Sequence, residues 1–414
     1  MNRLCAVLCL TAGLAQAQPL VSEIVFEGNE VTRESVLLRE LSLTVGEPAD
    51  PALIERSRQA IQDLGLFRSV EVREEPAASG VRLVFTVVEK FYLLPLPRLS
   101  ANLDGQYAYG LQLRWNNVAG LNHSLVIFAQ QQDRQQRGIG REENYAASWF
   151  APYVLDERTS FGASVAYTER PVQTEDGSGE YLERLRGAGF GFTYQLTPGP
   201  SNRGWNIGPS LSWQSQATSG PLAPKADGLA TALGLGLGYR DIRFRIFSEV
   251  GQSFDIRTDV ATEGWLSDYD FTRATTGYAR YMQLGQTEHQ TLHVFAELGS
   301  FHGGPRPGNQ KAFDLGGSGA LRAFDNDFIE GDAFYRLAVE VARPVWRPWL
   351  RAVVILEAGN VFEDAQAARL GRVYSSLGLG VRLRIPQFVN LEVELGWAIP
   401  LNGPGSGRVF GGKV

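Results

Sequence analysis

The chain has 414 residues and a formal net charge of −6, from 39 Lys and Arg against 45 Asp and Glu. That balance excludes the basic field that phosphate contacts need, so no nucleic-acid partner is expected. Gly 46, Phe 22, Tyr 14 and Trp 8 stand against two Cys, two Met and four His, a usage that favours pleated β structure over helix.

Residues 1–17 read as an export leader. Met1 to Arg3 form a basic start, Leu4 to Leu14 are mostly apolar, and Ala15-Gln16-Ala17 supplies a small-x-small cleavage pattern. Both cysteines, Cys5 and Cys9, fall inside this leader, so no thiol, disulfide or Cys-ligated metal is expected in the mature protein. A small α/β segment follows over 18–90. Val21 to Phe26 alternate as a strand, and Thr32 is placed to cap a short helix ending near Leu41. Asp50-Pro51 caps a second helix, whose stripe of Leu53, Ile54, Ala60, Ile61 and Leu64 ends at Gly65. Phe67 to Val72 and Val81 to Val87 read as two further strands.

From about residue 91 to the C-terminus the chain alternates. Tyr107, Tyr109, Leu111, Leu113 and Trp115 oppose Ala108, Gly110, Gln112 and Arg114. The same split recurs at Leu229 to Arg240, at Val373 to Arg384, and at Val389 to Ile399, where the apolar parity opposes Asn390, Glu392 and Glu394. Period-2 stretches near ten residues, apolar on one face and polar or Gly on the other, predict a transmembrane β-barrel of about sixteen antiparallel strands. Its opening hairpin is placed at Leu99 to Leu103 with a turn at Asp104-Gly105, and its last two strands at 388–400 and 406–414. Closure is expected, because an open edge in hydrocarbon leaves backbone groups unpaired.

Order and residues of the first segment resemble a POTRA domain. The matching positions are Ile24-x-Phe26-x-Gly28-Asn29, Gly46-x-Pro48-x-Asp50 and Leu64-Gly65-Leu66-Phe67-x-x-Val70. Together with the alternating region, the chain resembles a single-POTRA member of the superfamily of outer-membrane assembly factors and two-partner-secretion transporters. A long loop at about 302–330 carries Leu321-Arg322-Ala323-Phe324, similar to that superfamily's inward-folded loop, with Ala323 standing where Gly is usual. Val354-Ile355-Leu356-Glu357-Ala358-Gly359 resembles its partner strand motif, with Glu in place of the commoner Asp. Parity points Glu357 into the lumen. The resemblance thus implies a lid-loop lock of Arg322, Phe324 and Glu357, built on a charge-assisted bidentate pair.

The resemblance also implies the function: inserting outer-membrane proteins or translocating polypeptides across the outer membrane, with the POTRA domain in the periplasm. Clients would be unfolded outer-membrane or secreted polypeptides, received by β-augmentation on the edge formed by Phe67, Val70, Val72 and Glu74. Membrane lipids, periplasmic chaperones and accessory lipoproteins complete the implied partners. A weak lateral seam is implied between Leu99, Ala101 and Leu103 at one end and Val409 and Phe410 at the other. The alternative from a different class is a passive diffusion or structural barrel with a periplasmic anchoring module.

No catalytic constellation, metal site or cofactor is expected. His289, His293 and Glu297 share a parity, but four-residue spacing on a strand separates side chains by about 13 Å, too far for one ion. The glycines at 234, 236 and 238 precede no helix and so form no phosphate loop.

Overall fold

The computed structural model describes residues 18–101, 107–133, 142–174, 177–200, 203–224, 227–304, 312–317, 319–325 and 328–413. The leader residues 1–17, Leu103 and the Asp104-Gly105 turn lie outside them. The small domain runs strand Val21–Glu27, helices Glu34–Leu38 and Pro51–Asp63, then strands Phe67–Ala77 and Gly80–Glu89. Its sheet places Gly80–Glu89 in the centre, parallel to the first strand and antiparallel to Phe67–Ala77. The second helix starts as expected: Asp50 accepts the Ala52 N–H at 2.8 Å, with Pro51 at the first helical position. Its Ile54 and Ile61 bury against Phe67, Val70, Leu83 and Phe85.

Thr32 does not cap the first helix, whose N-terminal residue Arg33 has no side-chain cap. Its hydroxyl and backbone N–H both bond Glu89 instead, at 2.5 and 2.7 Å, and Asn117 of the large sheet donates to the same hydroxyl at 2.9 Å. The Asn117 amide thus occupies the hydroxyl oxygen that a cap would need as acceptor, while the Glu89 carboxylate takes its proton.

Sixteen further strands form one antiparallel sheet in which consecutive members pair throughout, and two short strands in the long loop, Phe313–Leu315 and Ile329–Gly331, pair with each other. The sixteen range from seventeen residues, Gly228–Phe244, to six, Arg408–Lys413. Outward positions are large, apolar and exposed, such as Leu235 at 54% and Leu395 at 58%, as a lipid-facing wall requires. No helix among the described residues is long and apolar enough to cross a membrane.

Three expectations need correction. The sheet curls but is not closed: among the described residues no backbone ladder joins Leu93–Ala101 to Arg408–Lys413. The base of the gap is bridged by Phe91, whose N–H donates to the Gln387 carbonyl at 2.7 Å and whose ring lies 5.4 Å from that of Phe388, Gln387 and Phe388 both lying in the turn before the penultimate strand. The opening strand starts at Leu93, not Leu99, because Pro95 and Pro97 hide its pattern and confine it to an edge. The penultimate strand starts at Glu392, not 388. Val389 continues the alternation but buries in the core of the small domain.

The small domain is docked on one end of the barrel. Arg33 donates through its backbone N–H to Gly120 and through Nε to the Ala119 carbonyl, at 3.0 and 3.1 Å. Tyr153 donates to Glu40 at 2.9 Å, Asp63 accepts the Phe244 N–H at 2.7 Å, and Arg203 pairs with Asp63.

Candidate functional site

Strand parity builds the lumen. On Leu350–Phe362 the odd residues from Arg351 to Gly359 turn inward, and the even ones from Ala352 to Leu356 face out. The long loop between Thr291–Gly303 and Ala333–Pro344 folds onto this inner face. A two-strand neck, Phe313–Leu315 against Ile329–Gly331, sets its base. Its tip closes through Gly317 N–H to the Phe324 carbonyl at 3.0 Å and Phe324 N–H to the Leu321 carbonyl at 2.9 Å. Among the described residues of this tip the left-handed ones are Gly317, with φ 82°, and Leu321, with φ 56°, so alanine at 323 adopts an ordinary backbone and costs nothing there.

Arg322 and Glu357 meet. The Arg322 Nη1 donates to Glu357 Oε1 at 2.5 Å, and the Arg322 backbone N–H donates to Oε2 at 2.7 Å. The pair therefore engages both carboxylate oxygens, but one donor belongs to the main chain rather than to the guanidinium fork. Ser376, directly opposite Glu357 in the ladder, donates a third bond at 3.1 Å. Phe324 is buried beside Phe328 and Tyr374, with ring centroids 4.5 and 5.8 Å away.

The same tip grips the last strand. Arg322 Nε lies 3.5 Å from Glu394, and its guanidinium sits 5.5 Å above the Phe410 ring. Phe410 lies in a trough cleared by glycines: a Cβ on Gly396 would come within 2.4 Å of its ring. Arg408 donates to the Phe324 carbonyl at 2.6 Å and pairs with Asp325 at 3.1 Å. Arg408 was absent from the expected site residues, and so was a buried ion network beneath the lid. Arg382 binds both oxygens of Glu340 at 2.5 and 2.6 Å and also pairs with Glu394. Arg351 and Arg384 share Glu392, and Arg384 reaches across to Glu249 at 2.7 Å. A lumenal cavity of about 660 Å³ lies between this network and the small domain, lined by Asp63, Arg203, Arg240, His293 and Arg322 among others.

Of the other expected residues, Phe67 and Val70 are buried against the small domain's helices, Val72 is half-buried and Glu74 is exposed. All four lie on Phe67–Ala77, an edge strand. At the seam, Leu99 and Ala101 pair with Tyr109 and Tyr107, and Val409 and Phe410 pair with Trp397 and Gly396. Val409 faces outward and Phe410 inward. His289 sits in a turn with φ 60° rather than on the strand that carries His293, which stacks on Tyr281 with centroids 4.2 Å apart.

Lys90, at the junction of domain and barrel, is almost fully buried; it donates to the Gly65 carbonyl at 2.8 Å and lies 4.6 Å from the Phe244 ring centroid. Burial, helped by the nearby Arg384 charge and opposed by Glu249, pushes its ammonium down to about 8. An unfolded lysine titrates at about 10.4. Between these values the unfolded chain holds more protons than the folded one, so stability rises with pH across that window. Burial pushes the neighbouring Tyr92 hydroxyl up, so near pH 10 the unfolded chain loses that proton first and the gain is offset. The expected result is a heat-unfolding temperature in detergent that climbs from pH 8 to about 9 and then levels, with a flatter rise in Lys90→Met.

Comparison with known proteins adds a family context. Residues 117–408 match the Omp85 superfamily domain, and residues 19–90 match the POTRA family described as a surface antigen variable number repeat. The outer membrane protein assembly factor BamA of Nitratidesulfovibrio vulgaris is 37% identical over 70 residues, 17% of this chain and 9% of that protein. BamA of Neorickettsia risticii is 27% identical over 182 residues, 42% of this chain and 23% of that protein. This chain therefore spans less than a quarter of the length of either relative. The structure of CdiB from Acinetobacter baumannii shares the fold with a TM-score of 0.65 at 14% identity, covering 95% of this chain and 73% of that one.

Proposed function

This chain belongs to the Omp85 superfamily, as an outer-membrane β-barrel carrying a periplasmic POTRA domain, and from that premise we propose that it inserts outer-membrane proteins or translocates polypeptides. One observation carries the reading: a loop that Arg322 ties to Glu357 folds into the lumen, while among the described residues the wall's first and last strands share no ladder. A loop folded into the lumen opposes free diffusion of solutes, and an unpaired wall offers a strand edge to a polypeptide.

In this reading the clients are unfolded outer-membrane or secreted polypeptides. They dock first on the POTRA edge at Phe67, Val70, Val72 and Glu74, where main-chain hydrogen bonds give sequence-tolerant affinity. Periplasmic chaperones or accessory lipoproteins hand them over, and membrane lipids bathe the seam. The lid-loop lock of Arg322, Phe324 and Glu357 holds the resting state.

Depletion of the protein followed by an outer-membrane proteome tests this reading. The expected result is a deficit of outer-membrane or secreted proteins: one missing species marks a dedicated transporter, many mark a general insertase. An unchanged proteome overturns the reading and favours a passive or structural barrel.

A further inference from the structure

The open edge of the barrel wall has an uneven hydrogen-bonding capacity, set by two prolines. Among the described residues the first barrel strand, Leu93–Ala101, forms a ladder with Tyr107–Val118 alone. In an antiparallel ladder, residues that exchange bonds with the neighbour alternate with residues whose N–H and C=O point away. The Asn116 N–H donates to the Tyr92 carbonyl at 2.8 Å. The register continues with Leu94 opposite Arg114, Leu96 opposite Gln112, Arg98 opposite Gly110 and Ser100 opposite Ala108. Even positions therefore serve the neighbour. Leu93, Pro95, Pro97, Leu99 and Ala101 present their backbone to the open side. The odd-numbered Phe91 agrees, because its N–H reaches across the gap to Gln387.

Proline has no N–H and is tolerated in a sheet only where no ladder bond is required. The stretch at Pro95 and Pro97 thus accepts hydrogen bonds without donating any, whereas Leu93 at the base and Leu99 and Ala101 nearer the extracellular rim do both. The other bank of the seam is short: Arg408–Lys413 has six residues.

We infer that Pro95 and Pro97 keep the middle of the seam's first strand unzipped and confine two-way pairing with an incoming client β-strand to Leu93 at its base and to Leu99 and Ala101 nearer the rim. The client half of this statement rests on the insertion or translocation reading; the unzipped seam does not. A strand advancing from the periplasm crosses two positions that offer it no donor before it gains reciprocal bonds at Leu99 and Ala101. The same two positions offer no donor to Arg408–Lys413 on the other bank.

The test is Pro95→Val with Pro97→Val in the full chain, reconstituted in lipid nanodiscs. Both prolines are exposed on the outer face, so valine suits the position. Two restored donors should slow hydrogen exchange in 408–413 by roughly tenfold or more, and the variant should reproduce the proteome deficit of depletion. Unchanged exchange in both banks overturns the inference whatever the protein's clients are. Slowed exchange with an intact proteome overturns the client half. Should the double variant fail to fold, Leu99→Pro removes a remaining donor: a folded barrel with a depletion-like proteome supports the inference, and full function in that variant overturns it.

Discussion

Arg322→Ala is expected to give a barrel that folds but, under the proposed insertion or translocation function, loses most of its client delivery. The substitution leaves Glu357, 3% exposed, with two neutral donors, the backbone N–H of residue 322 and the Ser376 hydroxyl. A buried carboxylate stripped of its counter-charge costs about 3–5 kcal/mol, and the lower figure applies here because those donors remain. Loss of the guanidinium also frees Phe410 from its cover and Glu394 from its second cation. Arg322→Lys should rescue only in part, since one ammonium cannot serve Glu357, Glu394 and the Phe410 face together. Urea midpoints of Arg322→Ala, Glu357→Gln and the double variant should show coupling of about 1 kcal/mol or more. Additive midpoints together with wild-type delivery by Arg322→Ala would discard the lock.

Arg382→Met should be worse, because it damages the wall rather than the lid. Arg382 is 7% exposed and holds Glu340, 9% exposed, through two parallel bonds. It also pairs with Glu394 and lies 3.7 Å from Glu392. Methionine fills similar volume but leaves Glu340 without its bidentate partner, and charge must leave the lumen or the strands must part. The expected loss is about 3–5 kcal/mol, read as a heat-modified band that appears at lower temperature or a barrel that fails to assemble. Glu340→Gln in the same background should recover part of that loss, because the stranded charge is then gone. A barrel of wild-type heat stability in Arg382→Met would show that water, not Arg382, balances these carboxylates.

Much of this architecture was legible in the residues because two solvents read the same strand. Lipid outside and water inside impose opposite chemistry on alternate positions, so Leu233, Leu235 and Leu237 announce one face and Gly234, Gly236 and Gly238 the other. Arg322 and Glu357 were legible through their local motifs. Where periodicity misled, a second environment had intervened. Val389 and Leu391 keep the lipid-facing rhythm yet bury at the foot of the barrel, Val389 in the small domain's core, and Pro95 and Pro97 suppress the rhythm of a strand that does form.

The ion network was invisible for another reason. Arg382, Arg384, Glu392 and Glu394 each read as lumenal, but their pairing depends on register, which sets Arg382 opposite Glu394 and Arg384 opposite Glu392. Within this hairpin the register is set by the geometry of the 385–391 turn rather than by residue type, and Glu340 and Glu249 join the cluster from 42 and 135 residues away. Thr32 illustrates the same limit, since its partner Glu89 is 57 residues away in sequence.

Single-channel conductance in planar bilayers tests most directly whether the lid is held inside the lumen by Arg322 and Glu357. The intact protein should show a small or flickering conductance, and Arg322→Ala a larger one as the lid leaves the lumen. A large, steady conductance in the intact protein, unchanged by Arg322→Ala, would contradict the account.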